Sequence, residues 1–301
     1  RVFTKLQFAQ PKNLDDALAT LRTLHSLLEL NLGHRQRFRE ISLQLESDDT
    51  QPDETSRVYL ELHWSDCNTR VEGTAKPTHP LDRLLDPQQR PDEFREVVSG
   101  WMNSSAKMSE ARGRFGIAFS KIHYDFDRTV GAANMFDLLP ADRLPPDHDV
   151  DDKTKDAVST SRDLFKNLVD SSARQSILSA LGRVGKASLK DKILHRAAIV
   201  QARTDHFPEL SLPCKEAVVC RNHFVHGSPP TFNYQNEITA FAFLSDTLEF
   251  VFAISDLIEL GWSLEDWMSS GLDDTHNFSR YVVHYRWHID HLKEILEKSK
   301  P

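Results

Sequence analysis

From about Pro91 to Lys298 the chain repeats one pattern: apolar residues at helical spacing, a helix stop, then the next apolar stripe. That periodicity commits each segment to an amphipathic helix, and a succession of such helices to a bundle. Phe94, Val97, Val98, Trp101 and Met102 carry the first, which breaks near residues 103–105. Phe115, Ala118, Phe119, Ile122, Phe126, Val130, Ala133 and Phe136 form one stripe, which predicts a single long helix from about Met108 to Leu139, ended by Pro140. The Asp- and Pro-rich stretch 142–156 reads as a mobile linker. Further helices are predicted over about 159–181, 189–203, 213–226, 237–260 and 277–298. The stretch 237–260 is strongly apolar and closed by Gly261, and Ser263-Leu264-Glu265-Asp266 resembles a capping box for a short helix.

Residues 1–90 read differently. Asn13 opens a helix that runs to about Asn31 and stops at Gly33. Ile41, Leu43 and Leu45 then alternate with polar residues, as do Val58, Leu60 and Leu62 after the polar loop 46–56, which predicts a hairpin with one buried face. Arg35, Arg37 and Arg39 flank its start as a solvated edge. The expected fold class is therefore mainly α: an antiparallel helical bundle over 91–301, with a small β-hairpin element in the N-terminal third. Residues 1–90 form a separate segment.

Composition narrows the function classes. A net charge of −8 argues against a protein that coats nucleic acid without specificity. No membrane association is expected, since no apolar run is read as a membrane span, and the first residues do not read as a signal peptide. Cys67, Cys214 and Cys220 cannot all pair within the chain and read as reduced thiols, which points to a cytoplasmic location. The charge is uneven: from Arg174 to Arg203 seven Lys and Arg stand against one acid, Asp191. A basic approach to a phosphodiester would look like this, with Lys186, Lys190, Lys192 and Arg196 as its contacts, although a solvated helix face explains it equally well.

The chemistry-bearing stretch is Arg221-Asn222-His223-Phe224-Val225-His226-Gly227. Apolar residues precede it, and Gly227-Ser228-Pro229-Pro230 stops the helix after it. A cation, a carboxamide and two imidazoles thus gather where a helix leaves the core. Two other Arg-x4-His pairs occur, Arg143/His148 and Arg286/His291, but neither has a polar residue after the Arg and a helix stop after the His. Residues five apart point about 140° from each other on a helix, so Arg221 needs its long stem to reach His226. Such a pair can exchange a proton and hold a phosphate with no metal and no cofactor. The plainer reading has Arg221 and His226 capping free carbonyls.

Other constellations are weaker. His284, His288 and His291 share one helix face at metal-ligand spacing, but Tyr281, Tyr285, Leu292 and Ile295 around them read as core. His63-Trp64-Ser65-Asp66-Cys67 has no supporting spacing for a nucleophile. Asp273-Asp274-Thr275-His276 reads as a helix start. The aromatic set Phe115, Phe119, Tyr124, Phe126 and Phe136 reads as core rather than as a base-stacking platform.

A helical bundle with a late helix ending Arg221-Asn222-x-x-x-His226 resembles the HEPN superfamily of small helical ribonucleases. With the long helix before it and the apolar helix with Gly261-Trp262 after it, it is most similar to the ApeA-like branch. The resemblance covers about Pro91 to the end. It implies a HEPN domain at the C-terminus of a bacterial anti-phage protein, and residues 1–90 as the end of, or a bridge from, a larger N-terminal domain. It implies Arg221 and His226 as the catalytic pair, Asn222 as support, and His223 at a variable position. It also implies an acid in the earlier long helix, for which Asp137 is the candidate and Asp127 the fallback.

The function expected by resemblance is metal-independent cleavage of RNA such as tRNA, by attack of the 2′-hydroxyl, in abortive-infection defence. A homodimer and a phage-derived trigger would accompany it. The alternatives are a non-catalytic helical module binding RNA, nucleotide or protein, and a metal hydrolase built on His284, His288 and His291.

Overall fold

The computed structural model describes residues 6–36, 38, 40–44, 59–62 and 77–299. The loop 46–56, Arg37, Arg39 and the 63–67 cluster lie outside them. The chain divides into two compact units, Arg1–Ser105 with Leu260–Val283, and Ala106–Glu259 with His284–Pro301. Residues 91–105 and 260–283, read from the sequence with the C-terminal bundle, sit in the first.

In the first unit, helix α1 (Leu14–Leu32) starts where the Asn13 side chain accepts the Asp16 N–H at 2.8 Å, and ends at Gly33 with φ 72°. Strands β1 (Ile41–Gln44) and β2 (Tyr59–Leu62) pair antiparallel, Ile41 opposite Leu62 and Leu43 opposite Leu60. This is the predicted hairpin over its described residues. Helix α2 (Pro91–Asn103) buries Val97 and Trp101, and the Trp101 indole donates to the Thr23 carbonyl at 3.1 Å. Helix α10 (Leu264–Met268) is capped by Ser263, as its sequence suggests.

Two buried polar groups hold this unit together. The Asp82 carboxylate, fully buried, accepts the backbone N–H groups of Asp273 and Thr275 at 2.7 and 2.8 Å and the Thr275 hydroxyl at 2.5 Å. The 273–276 cluster thus precedes a helix, and it also solvates a buried charge. The His276 ring, also fully buried, donates from Nε2 to the Leu30 carbonyl at 2.9 Å and accepts the Phe278 N–H on Nδ1 at 2.9 Å. Both ring nitrogens are satisfied only in the neutral imidazole, and burial pushes the His276 pKa down to about 4.

The second unit holds the bundle. Its elements are α3 (Ser105–Phe119), α4 (Phe126–Asn134), α5 (Asp152–Lys166), α6 (Ser172–Gly182), α7 (Leu189–Gln201), α8 (Ser211–His226) and α9 (Ile238–Glu259). Part of α11 (Asn277–Lys298) completes it. Helices α4, α7 and α8 all pack on α9, and α4 and α7 also pack on α8.

The predicted helix 108–139 is two helices and a 3-10 turn. Asp125 accepts the Arg128 N–H at 2.7 Å and restarts the chain as the cap of α4, and Met135–Leu138 tightens after it. The apolar stripe runs through the break and hides it. The predicted helix 159–181 likewise splits into α5 and α6, because Ser171 caps the second. These two helices pack on each other and contain no buried residue. The expected linker 142–156 is anchored: the His148 N–H bonds the Gly185 carbonyl at 2.8 Å, and Asp151 caps α5.

Contrary to the sequence reading, α9 is long and apolar enough to cross a membrane. Here it is the buried core helix of the second unit. It also carries acids, each met by an arginine from another segment. Arg112 of α3 forks onto Asp256 (2.9 and 3.3 Å), and Arg128 of α4 forks onto Glu249 (2.8 and 2.8 Å) and reaches Asp246 at 3.2 Å. Arg196 of α7 bonds Ser255 (2.9 Å) and Glu259 (2.6 Å), and Arg143 pairs with the same Glu259. Burial pushes the Glu249 carboxyl up, against the pull of the Arg128 guanidinium. Burial opposes the charge on Arg128, and its bonds to Glu249 more than restore it.

Two outcomes follow from these buried groups. Glu249→Ala leaves the buried Arg128 cation to the partly exposed Asp246 and lowers the unfolding free energy by about 3 kcal/mol, whereas Arg128→Met with Glu249→Leu recovers most of it. Denaturant titration of the three variants checks this. The unfolded chain takes up a proton near the ordinary histidine pKa, and buried His276 does not until about pH 4. Its contribution is complete above that ordinary value and is lost as the pH falls from it towards 4. The stability gap between wild type and His276→Gln should shrink over that window, by on the order of 3 kcal/mol.

Candidate active site

Helix α8 is built to end in the open. Its Pro213, Cys214, Ala217, Val218 and Cys220 are buried, and burial pushes both thiols up to about 12, so they are inert packing groups. The residues from Phe224 to Gly227 are exposed. Gly227, with φ 68°, takes the left-handed cap, and its N–H bonds the His223 carbonyl at 2.9 Å. The helix therefore stops one residue after His226.

The exposed helix end carries a closed set of polar contacts. Arg221 Nη1 donates to His226 Nε2 at 2.9 Å and to Asn222 Oδ1 at 3.1 Å. Arg221 Nε and Nη2 both donate to Asn134 Oδ1, at 3.3 and 3.2 Å. Asn134 is the last residue of α4, which packs on α8. The Arg stem thus reaches the imidazole without loosening the last turn. Arginine has no acceptor, so in this contact His226 Nε2 is the accepting nitrogen, which suits the tautomer with its proton on Nδ1.

The other predicted residues scatter. His223 turns away, its Nδ1 on the Ser228 carbonyl at 2.8 Å and its ring against Tyr234. Asp137 forms an ion pair with Lys192 at 2.8 Å, and exposed Asp127 lies 3.8 Å from Lys121; neither acid is bonded to Arg221 or His226. Lys186 is bonded to Asp147 and only Lys190 of the four basic residues stands exposed without a bonded acid. Arg196 is 1 % exposed and belongs to the α9 network, so it is no RNA contact. Charge counting along the sequence could not see the acids supplied by other segments.

The competing constellations do not assemble. Arg143 is spent on Glu259, and His148 on Asp191 at 3.0 Å. His288 stacks on Phe243 and His291 on Trp287. Among the described residues no three His, Cys, Asp or Glu side chains are grouped to hold a metal ion. Of the aromatic set, Phe115, Phe119 and Phe136 are core, but Tyr124 and Phe126 are exposed, and Phe126 stacks on Phe224 beside the site at 5.9 Å. Asn134 is the residue that sequence reasoning missed. It carries no motif and meets Arg221 only through the α4–α8 packing.

Residues 130–266 match the family model described as Apea-like HEPN. That stretch begins within α4, runs through α9 into α10 and contains Asn134, Arg221 and His226, so this part of the chain is similar to the Apea-like HEPN family. No curated protein and no solved structure matches the chain.

Nothing lies within 4 Å of where a Gly227 Cβ would sit, so Gly227→Ala meets backbone strain alone. It should cost about 1–2 kcal/mol, and Gly227→Asn less. Thermal unfolding of the two variants checks the order.

Proposed function

We propose that this chain is a HEPN-type endoribonuclease acting in anti-phage abortive-infection defence in the cytoplasm. The observation that carries the reading is the 2.9 Å contact from Arg221 to Nε2 of an exposed His226. His226 Nε2 takes the proton of an RNA 2′-hydroxyl as that oxygen attacks the adjacent phosphorus. Arg221 moves its Nη1 donors onto the phosphoryl oxygens as charge develops there. The bond to the 5′-oxygen breaks, leaving a 2′,3′-cyclic phosphate and, once protonated, a 5′-hydroxyl. DNA has no 2′-hydroxyl and does not react. This chemistry needs no metal and no cofactor.

One neutral imidazole supplies the base and not the acid that protonates the leaving oxygen. In this reading a second copy supplies the acid, through its own His226 in a homodimer. Exposed Phe126, Phe224 and Val225 beside the site are the kind of apolar surface that a second copy covers. A phage-derived trigger and a substrate such as tRNA complete the reading.

One observation favours the alternative, a non-catalytic module that binds RNA, nucleotide or protein. Four of the five guanidinium N–H groups of Arg221 are engaged within the protein. Total RNA and tRNA incubated in excess EDTA with wild type and His226→Ala separate the two. The expected result is cleavage by wild type with cyclic-phosphate ends, reduced by about 10²–10⁴-fold in the variant. Equal cleavage by both would sink the site, and none by either would favour the binding module.

A further inference from the structure

We infer that Asn134 is the positioning residue of the site: by holding Arg221 it sets which nitrogen of His226 carries the proton. The inference rests on the reading of Arg221 and His226 as the reacting pair. Its ground is the donor inventory of one side chain. A guanidinium has five N–H groups in a rigid plane. Nε and one Nη2 hydrogen converge on Asn134 Oδ1, which fixes that plane at two points. The remaining edge then faces Asn222 and His226, where Nη1 donates to both. Without the Asn134 anchor the guanidinium loses two of its four contacts and keeps a single fixed point besides His226, the Nη1 bond to Asn222, about which it can pivot.

The chemistry of the anchor matters as well as its place. An amide oxygen accepts two donors without cancelling their charge, whereas a carboxylate there would neutralise the cation. Asn134 therefore orients Arg221 and leaves its full positive charge for a phosphate. The resting site is also self-occupied. One Nη2 hydrogen is free, so a phosphate that takes Arg221 in a bidentate grip must draw an Nη1 hydrogen off Asn222 or His226, and in the second case it uncovers the Nε2 lone pair as the substrate arrives. Asn134 keeps its two contacts through this exchange, so the base is released without loss of alignment.

The test reads the imidazole directly, in the whole chain and without RNA. Long-range proton–nitrogen correlation spectra distinguish a protonated from an unprotonated ring nitrogen. Wild-type His226 should show its proton on Nδ1. Asn134→Ala should give a mixture of tautomers, and Asn134→Asp, which keeps the acceptor, should restore the wild-type pattern. In RNA cleavage, Asn134→Ala should lower kcat by about 10²-fold with little change in KM, as a misaligned pair would. Asn134→Asp should instead raise KM by weakening the charge offered to phosphate. A wild-type tautomer pattern in folded Asn134→Ala overturns the inference, whatever the RNA assay shows. Tautomer changes as described in a wild type that cleaves no RNA would uphold the positioning role and remove the ribonuclease reading alone.

Discussion

Helix α9 has to be apolar enough to lie at the centre of the second unit and still carry Asp246, Glu249, Asp256 and Glu259. The arginines resolve this. Each reaches in from a different segment, α3, α4, α7 and the turn at Arg143, so the helices are placed on α9 by directed forks as well as by apolar contact. Hydrophobic packing alone tolerates sliding and rotation, whereas a two-point guanidinium–carboxylate bond does not. The position of α4 in particular is fixed by Arg128 on Glu249, six residues along the chain from the half-buried C-terminal end where Asn134 sits. Burying such pairs gains little stability over an apolar core. What they supply is register, and the candidate site depends on it, because Asn134 and Arg221 come from different helices.

Much of this was legible in the sequence, for reasons that differ by element. Helix α11 and the ends of α1 and α8 are marked by local chemistry: Asn13, Gly33 and Gly227 each work through their own backbone. The Arg221–His226 pair was legible for the same reason, since both residues belong to one helix end. The break between α3 and α4 was not, because Phe119, Ile122 and Phe126 keep helical spacing across it while Asp125 quietly caps the second helix. Asn134 and Arg196 were illegible in a deeper sense. One is a site residue and the other a core residue only because of partners far away in the chain, and residue type says the opposite of each. The polar strength of α9 was likewise hidden, since an apolar run of that length reads the same in a bilayer or a core.

The site itself is economical in donors. Asn222 and His226 share one edge of a guanidinium whose other edge belongs to Asn134, so that neighbouring residues need to supply little else. The absence of Asp137 and Asp127 from this set is consistent with it: an acid at the anchor would trade charge for grip. Lys192 and Lys121 occupy those carboxylates instead.

The hairpin of α5 and α6 adds a different property. Its helices contain no buried residue, so opening it costs little beyond what the two hold between themselves and the bonds that tie their ends. The second unit is therefore two-tiered in local stability. Arg221, His226 and Asn134 stand on helices packed against α9, and the hairpin stands on a part without buried residues. Sequence change in that arm is uncoupled from the geometry of the site, which leaves the arm free to diverge while the reacting pair stays where it is.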